Sequence, residues 1–167
     1  QHRAELVKCG ALLKPAGRGL VLTGNNDTVY SWTWIDVSKG PLVLEVPPKV
    51  LGTVNDMWQR WVIDVGITGP DKGAGGKYLF LPPGHKGAVP KGYHVVRSPT
   101  FGLWVPWRSF LVDGDPKPGV EAVKKFTKIY PLADAAKAHP PLTFVNMSGK
   151  PFNTIYPADY AFWELLN

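Results

Sequence analysis

The chain has 167 residues, a formal net charge of +6 and one cysteine, so it holds no internal disulfide and no multi-cysteine metal site. Its length is that of one domain with a substantial core. The basic residues are scattered, without a long run or a zinc-finger spacing, which argues against nucleic-acid binding, and no apolar stretch of about 18 residues offers a membrane-spanning helix.

Eighteen glycines and 17 prolines exceed the usual combined share of about 12%, so the chain is punctuated into short segments. Residues 1–23 are expected as an N-terminal lead-in, in which Leu6, Cys9, Leu12 and Leu13 at helical spacing predict a short helix over 1–13, ended by Pro15 and Gly17. From 29 to 37, β-branched and aromatic residues alternate as in a strand. "SKGP" then turns the chain, and "LVLEV" at 42–46 returns as an expected hairpin partner, stopped by Pro47 and Pro48. In "WQRWVIDV", 58–65, Trp61, Ile63 and Val65 are expected on one strand face with Arg60 and Asp64 on the other. A glycine-rich loop separates it from strands at 78–81, 93–97 and 103–112. Pro106 within the last of these predicts an edge strand or a bulge.

At Val120, Val123, Phe126 and Ile129 the apolar period becomes three, predicting one amphipathic helix over 118–129. The remaining 131–167 reads as a linker, a strand at "LTFVNM" and a C-terminal helix opened by Pro157. The whole chain, 1–167, is thus expected to be a single mainly β domain, an antiparallel sandwich or jelly-roll-like fold with one or two peripheral helices. Its β-rich core is expected over 24–130.

Few stretches carry a complete chemical signature. "DKGAGGKY" is no P-loop, because Asp71 stands where its first glycine is required and Tyr78 where Ser or Thr must follow Lys77. No serine lies in a nucleophile elbow. Ser98, in "RSPT", is better explained as a turn-former whose hydroxyl bonds local backbone. His85 and His94 lack the spacing of a metal pair, and neither a metal nor another cofactor is expected. Asp27, Asp36 and Asp64 could supply paired carboxylates only if the fold brings two of them together.

The stretch "GNNDTVYSWTWIDV", 24–37, divides in two. Tyr30, Trp32 and Trp34 share one strand face and Val29, Ser31, Thr33, Ile35 and Val37 the other, and the aromatic row is read first as core packing and second as a ligand platform. The polar residues before it suit either a tight loop or a pocket. "NDT" and "NMS" also match the short N-glycosylation sequon.

"GNNDTVYSWTWIDVSKGPLVLEVP", "GGKYLFLPPGHKGAVPKGYHVVRSPT", "LWVPWRSFLVDGDPKPGVEAVKKF" and "FNTIYPADYAFWELLN" together resemble the ordered signatures of the domain-of-unknown-function 1254 family, over roughly 24–167. The resemblance implies the first domain of a longer, mostly bacterial protein. A second β-rich domain, the domain of unknown function 1214, would follow it. It also implies a periplasmic, cell-envelope or secreted location, and it transfers no catalytic residues. The family-like polar positions are Asn25, Asn26, Asp27, Thr28 and Tyr30, then Arg97 and Ser98, with Trp104 and Arg108 beyond.

These residues lead to the expectation of a small-molecule or glycan-binding cleft between the 25–30 and 97–108 segments. One rival is a hydrolase with an Asp general base and an Arg stabilising the oxyanion. The other is a structural protomer docked on a second domain or on a copy of itself.

Overall fold

In the computed structural model, residues 5–8, 27–146 and 158–166 are described. The strands are β1 (Glu5–Lys8), β2 (Thr28–Asp36), β3 (Leu42–Val46), β4 (Val50–Asp56), β5 (Trp61–Gly66), β6 (Gly76–Leu81), β7 (His94–Arg97), β8 (Gly102–Phe110), β9 (Lys128–Pro131) and β10 (Thr143–Asn146). Helix α1 (Lys117–Phe126) precedes β9, and a short helix α2 (Ala161–Leu166) follows β10. The strands form a six-stranded sheet in the order β10-β1-β2-β8-β4-β5 and a four-stranded sheet in the order β7-β6-β3-β9. Pairing is antiparallel except for β1 with β10 and β6 with β7. The architecture is the expected mainly β sandwich with two short helices.

The core lies between the sheets. Ile35, Val105 and Trp107 of the larger sheet meet Leu44, Val46, Tyr78 and Phe80 of the smaller, and Val123 of α1 closes one side. Trp107, 1% exposed, fits because its neighbours in register are small: Ser31 on β2 and Gly52 on β4. A Cβ at Gly52 would come within 2.5 Å of the Trp107 Cβ, so the glycine is required by close strand-to-strand packing. The smaller sheet is buried on its other face too. There Val43, Leu79, Leu81 and Tyr130 are covered by Val89, Tyr93 and Leu132, which explains the near-continuous apolar run of β3 and β6.

Several sequence expectations are corrected. β2 and β3 are not a hairpin: β2 pairs with β8, whereas β3 pairs with β6 and β9, so the "SKGP" turn carries the chain from one sheet to the other. Besides β1, two strands were not foreseen: β4, whose Gly52 and Asn55 dilute its β pattern, and β9, which begins where the expected helix overran Phe126. Residues 5–8 are strand rather than helix, and the rest of the 1–13 expectation lies outside the described residues. Pro106 is in a central strand. It pairs with Trp32 on β2, while the ladder to β4 skips from Gly52–Trp107 to Asn55–Trp104, so the missing N–H is absorbed by a local interruption.

Asp71 organises the glycine-rich loop. Its buried carboxylate accepts from the Gly66 N–H at 2.8 Å, the Gly75 N–H at 3.1 Å and the Tyr78 hydroxyl. Burial first, then the hydrogen bond to and charge of Asp71, raise the Tyr78 phenol above its ordinary value of 10.0. The loop is a structural knot that ties β5 to β6.

Candidate functional site: the outer face of the six-stranded sheet

Along β2 the buried positions are Thr28 at its start and then Val29, Ser31, Thr33 and Ile35, and along β8 they are Leu103, Val105, Trp107 and Ser109. By alternation, Tyr30, Trp32 and Trp34 share the outer face with Trp104, Pro106 and Arg108. The aromatic row is therefore not the core face. Trp34 is 51% exposed, and the sandwich is filled from the other side of the strand.

Register extends the row across four strands. Trp34 lies opposite Trp104, Trp104 opposite Asn55 on β4, and Asn55 opposite Trp61 on β5. Residues directly opposite each other project from the same face, so three indoles and one amide form a line perpendicular to the strands. With strands about 4.8 Å apart, the line spans roughly 14 Å. Trp61 was expected on the inner face with Ile63 and Val65. A register shift at Val54/Asn55 turns it outward, 67% exposed, and its indole N–H donates to Asp64 Oδ1 at 2.9 Å.

The β4–β5 turn forms a rim. Met57 lies over Gly102, where a Cβ would come within 2.7 Å of its side chain, and Trp58 is 74% exposed. Asp56 holds this turn: Oδ1 accepts from the Trp58 N–H at 2.9 Å and the Arg60 N–H at 3.0 Å, and Oδ2 from Arg60 Nε at 2.7 Å. Burial pushes the Asp56 carboxyl pKa up, but these hydrogen bonds and the Arg60 charge outweigh it and hold the carboxyl below its ordinary 3.8.

The expected site residues are divided by the fold. Tyr30, Trp104 and Arg108 come together on the outer face, the Arg108 guanidinium sitting 4.9 Å from the Tyr30 ring centroid. Asp27 is exposed just before β2, and Thr28 begins that strand. Asn25 and Asn26 lie outside the described residues. Arg97 and Ser98 belong to the end of β7, in the other sheet. Arg97 donates to the His85 carbonyl at 3.3 Å. The Ser98 hydroxyl donates to the Thr100 carbonyl and accepts from its N–H, the turn-forming role read from "RSPT". Among the described residues no three His, Cys, Asp or Glu side chains converge as a metal group.

Trp34, Asn55 and Trp61 were not among the expected site residues. One signal was available: Asp36 shares parity with Tyr30, Trp32 and Trp34, as Arg108 does with Trp104, and a charged residue on a strand face marks that face as wet. The Trp61 orientation depends on a bulge that alternation does not reveal.

A family model described as "Protein of unknown function (DUF1254)" matches residues 7–131, most of the chain. The chain belongs to the DUF1254 family. The structure is similar to the crystal structure of the VPA0106 protein from Vibrio parahaemolyticus, with a TM-score of 0.61 and 24% identity over 81% of this chain. The match covers 33% of that protein, so the DUF1254 chain spans about a third of its length, and the likeness is one of fold. No curated protein matches the chain by sequence.

Proposed function

We propose that this DUF1254 domain is a binding module that takes a glycan on the outer face of the six-stranded sheet. The observation that supports it is the cross-strand line Trp34–Trp104–Asn55–Trp61. Indole faces stack against the C–H faces of pyranose rings, and the Asn55 amide and Asp64 carboxylate supply hydrogen-bonding partners for hydroxyls. Tyr30 and Arg108 extend the platform along β2 and β8. The opposite sheet has its outer face covered by the chain's own Val89, Tyr93 and Leu132, whereas this face carries half-exposed indoles. A periplasmic, cell-envelope or secreted setting, where glycans are abundant, is part of the proposal and rests on the family resemblance.

Titration of the protein with soluble oligosaccharides of β-linked glucose and of β-linked N-acetylglucosamine, followed by indole fluorescence and calorimetry, tests the reading. Saturable quenching with an affinity that Trp104→Ala lowers is expected. No response to either series overturns it.

One observation favours a second reading of the same face. The similar Vibrio protein is about three times as long as the matched region, and a further domain of a longer chain, or a self-copy, would bury Trp34, Met57, Trp58 and Trp61 as an apolar interface. That reading predicts concentration-dependent self-association, or loss of indole accessibility to iodide when a second domain is present. The glycan reading predicts accessible indoles in either form.

A further inference from the structure

The bulge that turns Trp61 outward also brings it a partner. Residues three apart on a regular strand face opposite sides, but Val62 and Ile63 both pack toward the core, so Trp61 and Asp64 project together from the outer face. There the Asp64 carboxylate accepts the indole N–H at 2.9 Å. Trp61 is largely exposed, and where packing leaves the side chain free to swing, this hydrogen bond restricts its rotamers.

The line Trp34, Trp104, Asn55, Trp61 therefore has a fixed far end, and its spacing differs from that of the aromatic row on one strand. Across the sheet, one position follows another at the strand spacing of about 4.8 Å, whereas along β2 Tyr30, Trp32 and Trp34 follow at twice the rise per residue, about 6.8 Å. Successive rings of an extended β-1,4-linked pyranose chain advance by little more than one strand spacing, which matches the line across the strands and not the row along one. The direction along β8 is also obstructed. Met57 lies against Gly102, two residues from Trp104 and on the same face, so the β4–β5 turn bounds the line on that side.

We infer that, on the glycan reading of this face on which the inference rests, the ligand is an extended β-1,4-linked pyranose chain lying across the strands, one ring per strand, and that Asp64 positions the fourth subsite by holding Trp61. Trp34, Trp104 and Trp61 each offer an indole to a ring face, and the Asn55 amide meets the polar substituents of the ring between. A chain of four rings is the shortest that reaches both ends. An α-1,4-linked chain coils, which lifts its rings off a straight row, so linkage is selected as well as length.

The test is calorimetric titration of the chain with β-1,4-linked trimers, tetramers and hexamers of glucose and of N-acetylglucosamine, and with an α-1,4-linked glucose hexamer. In at least one β-linked series, affinity is expected to rise at least about fivefold from trimer to tetramer, the step that engages both ends of the line, and by no more than about threefold from tetramer to hexamer. The α-linked hexamer is expected to bind at least about tenfold more weakly than the β-linked one. Trp61→Ala should reduce the trimer-to-tetramer step to less than about twofold. Asp64→Ala should reduce the same step, and Asp64→Asn, whose amide oxygen still accepts from the indole N–H, should restore it. Because the readout is a ratio within one variant, a loss of stability does not imitate it. A missing trimer-to-tetramer step, a step unchanged in Trp61→Ala, or an α-linked hexamer bound as tightly as the β-linked one overturns the inference and leaves the glycan reading standing. An Asp64→Asn variant no better than Asp64→Ala overturns the positioning role of Asp64, and absence of binding by every oligomer overturns both the inference and the reading beneath it.

Discussion

Replacing Tyr78 by Phe removes one hydroxyl from the loop that joins β5 to β6 and leaves the ring in the core. In the native chain that hydroxyl donates to the buried Asp71 carboxylate, which also accepts two backbone N–H groups. A hydrogen bond to a charged group is worth about 1.5–3 kcal/mol. The two remaining N–H donors keep the carboxylate from being orphaned, which places the cost toward the lower end. At about 2–4 °C per kcal/mol for a domain of this size, the melting temperature should fall by about 3–8 °C. Calorimetric melting and urea unfolding measure the effect, with an unchanged urea m-value because the unfolded surface is the same. A fall of less than about 1 °C would show that the Asp71–Tyr78 contact does not hold the loop. Glycan binding should be unaffected, since Tyr78 belongs to the buried smaller sheet.

The remaining predictions concern the turns and the platform rim. Asp56 has a lowered carboxyl pKa in the folded chain, so its contribution is present above the ordinary value of 3.8 and is lost as pH falls through the lower folded value. The gap in urea midpoint between wild type and Asp56→Asn should therefore shrink as pH drops from about 5 to about 2, and a gap that stays constant would contradict the assignment. Gly66 has φ +78°, and a Cβ there would collide with the Val50 carbonyl. Gly66→Ala should destabilise by more than the roughly 1–2 kcal/mol of left-handed strain alone, read as a fall in urea midpoint; a change below about 0.5 kcal/mol would be inconsistent with the β4–β5 register.

Much of the architecture was legible because strand alternation and turn residues are local signals. The strands at 29–37, 78–81 and 103–112 and the helix near 118–129 all correspond to observed elements. What failed was pairing, which depends on contacts far apart in sequence. "SKGP" has the composition of a hairpin turn, yet nothing in it records that β2 finds a better partner in β8, where Ser31 gives room to Trp107.

The same limit governs the candidate site. Tyr30, Trp104 and Arg108 were identifiable singly, but their common face follows from the β2–β8 register. Trp61 joins them only through the shift at Val54/Asn55. The aromatic row reads as core packing from sequence because both faces of the strand, Tyr30, Trp32 and Trp34 on one and Val29, Ile35 and Val37 on the other, are apolar enough for a strand covered on both sides. Asp36 and Arg108, charged residues of the same parity, were the better guide to which face is wet.

The line Trp34–Trp104–Asn55–Trp61 is the surface proposed to take a glycan. Covering the exposed half of the Trp34 indole removes about 100 Å² of apolar surface from water, at roughly 25 cal/mol per Å² an upper limit near 2.5 kcal/mol, of which about 1–2 kcal/mol should survive the costs of association, with less at the less exposed Trp104. The decisive measurement is calorimetric titration of wild type, Trp34→Ala and Trp104→Ala with a hexasaccharide of β-linked N-acetylglucosamine and with one of β-linked glucose. At least one hexasaccharide is expected to bind, with Trp34→Ala weakening it about 5–30-fold and Trp104→Ala by a smaller factor, while the fold, checked by circular dichroism, is retained. Binding that is absent from wild type, or unchanged in both variants, would contradict it.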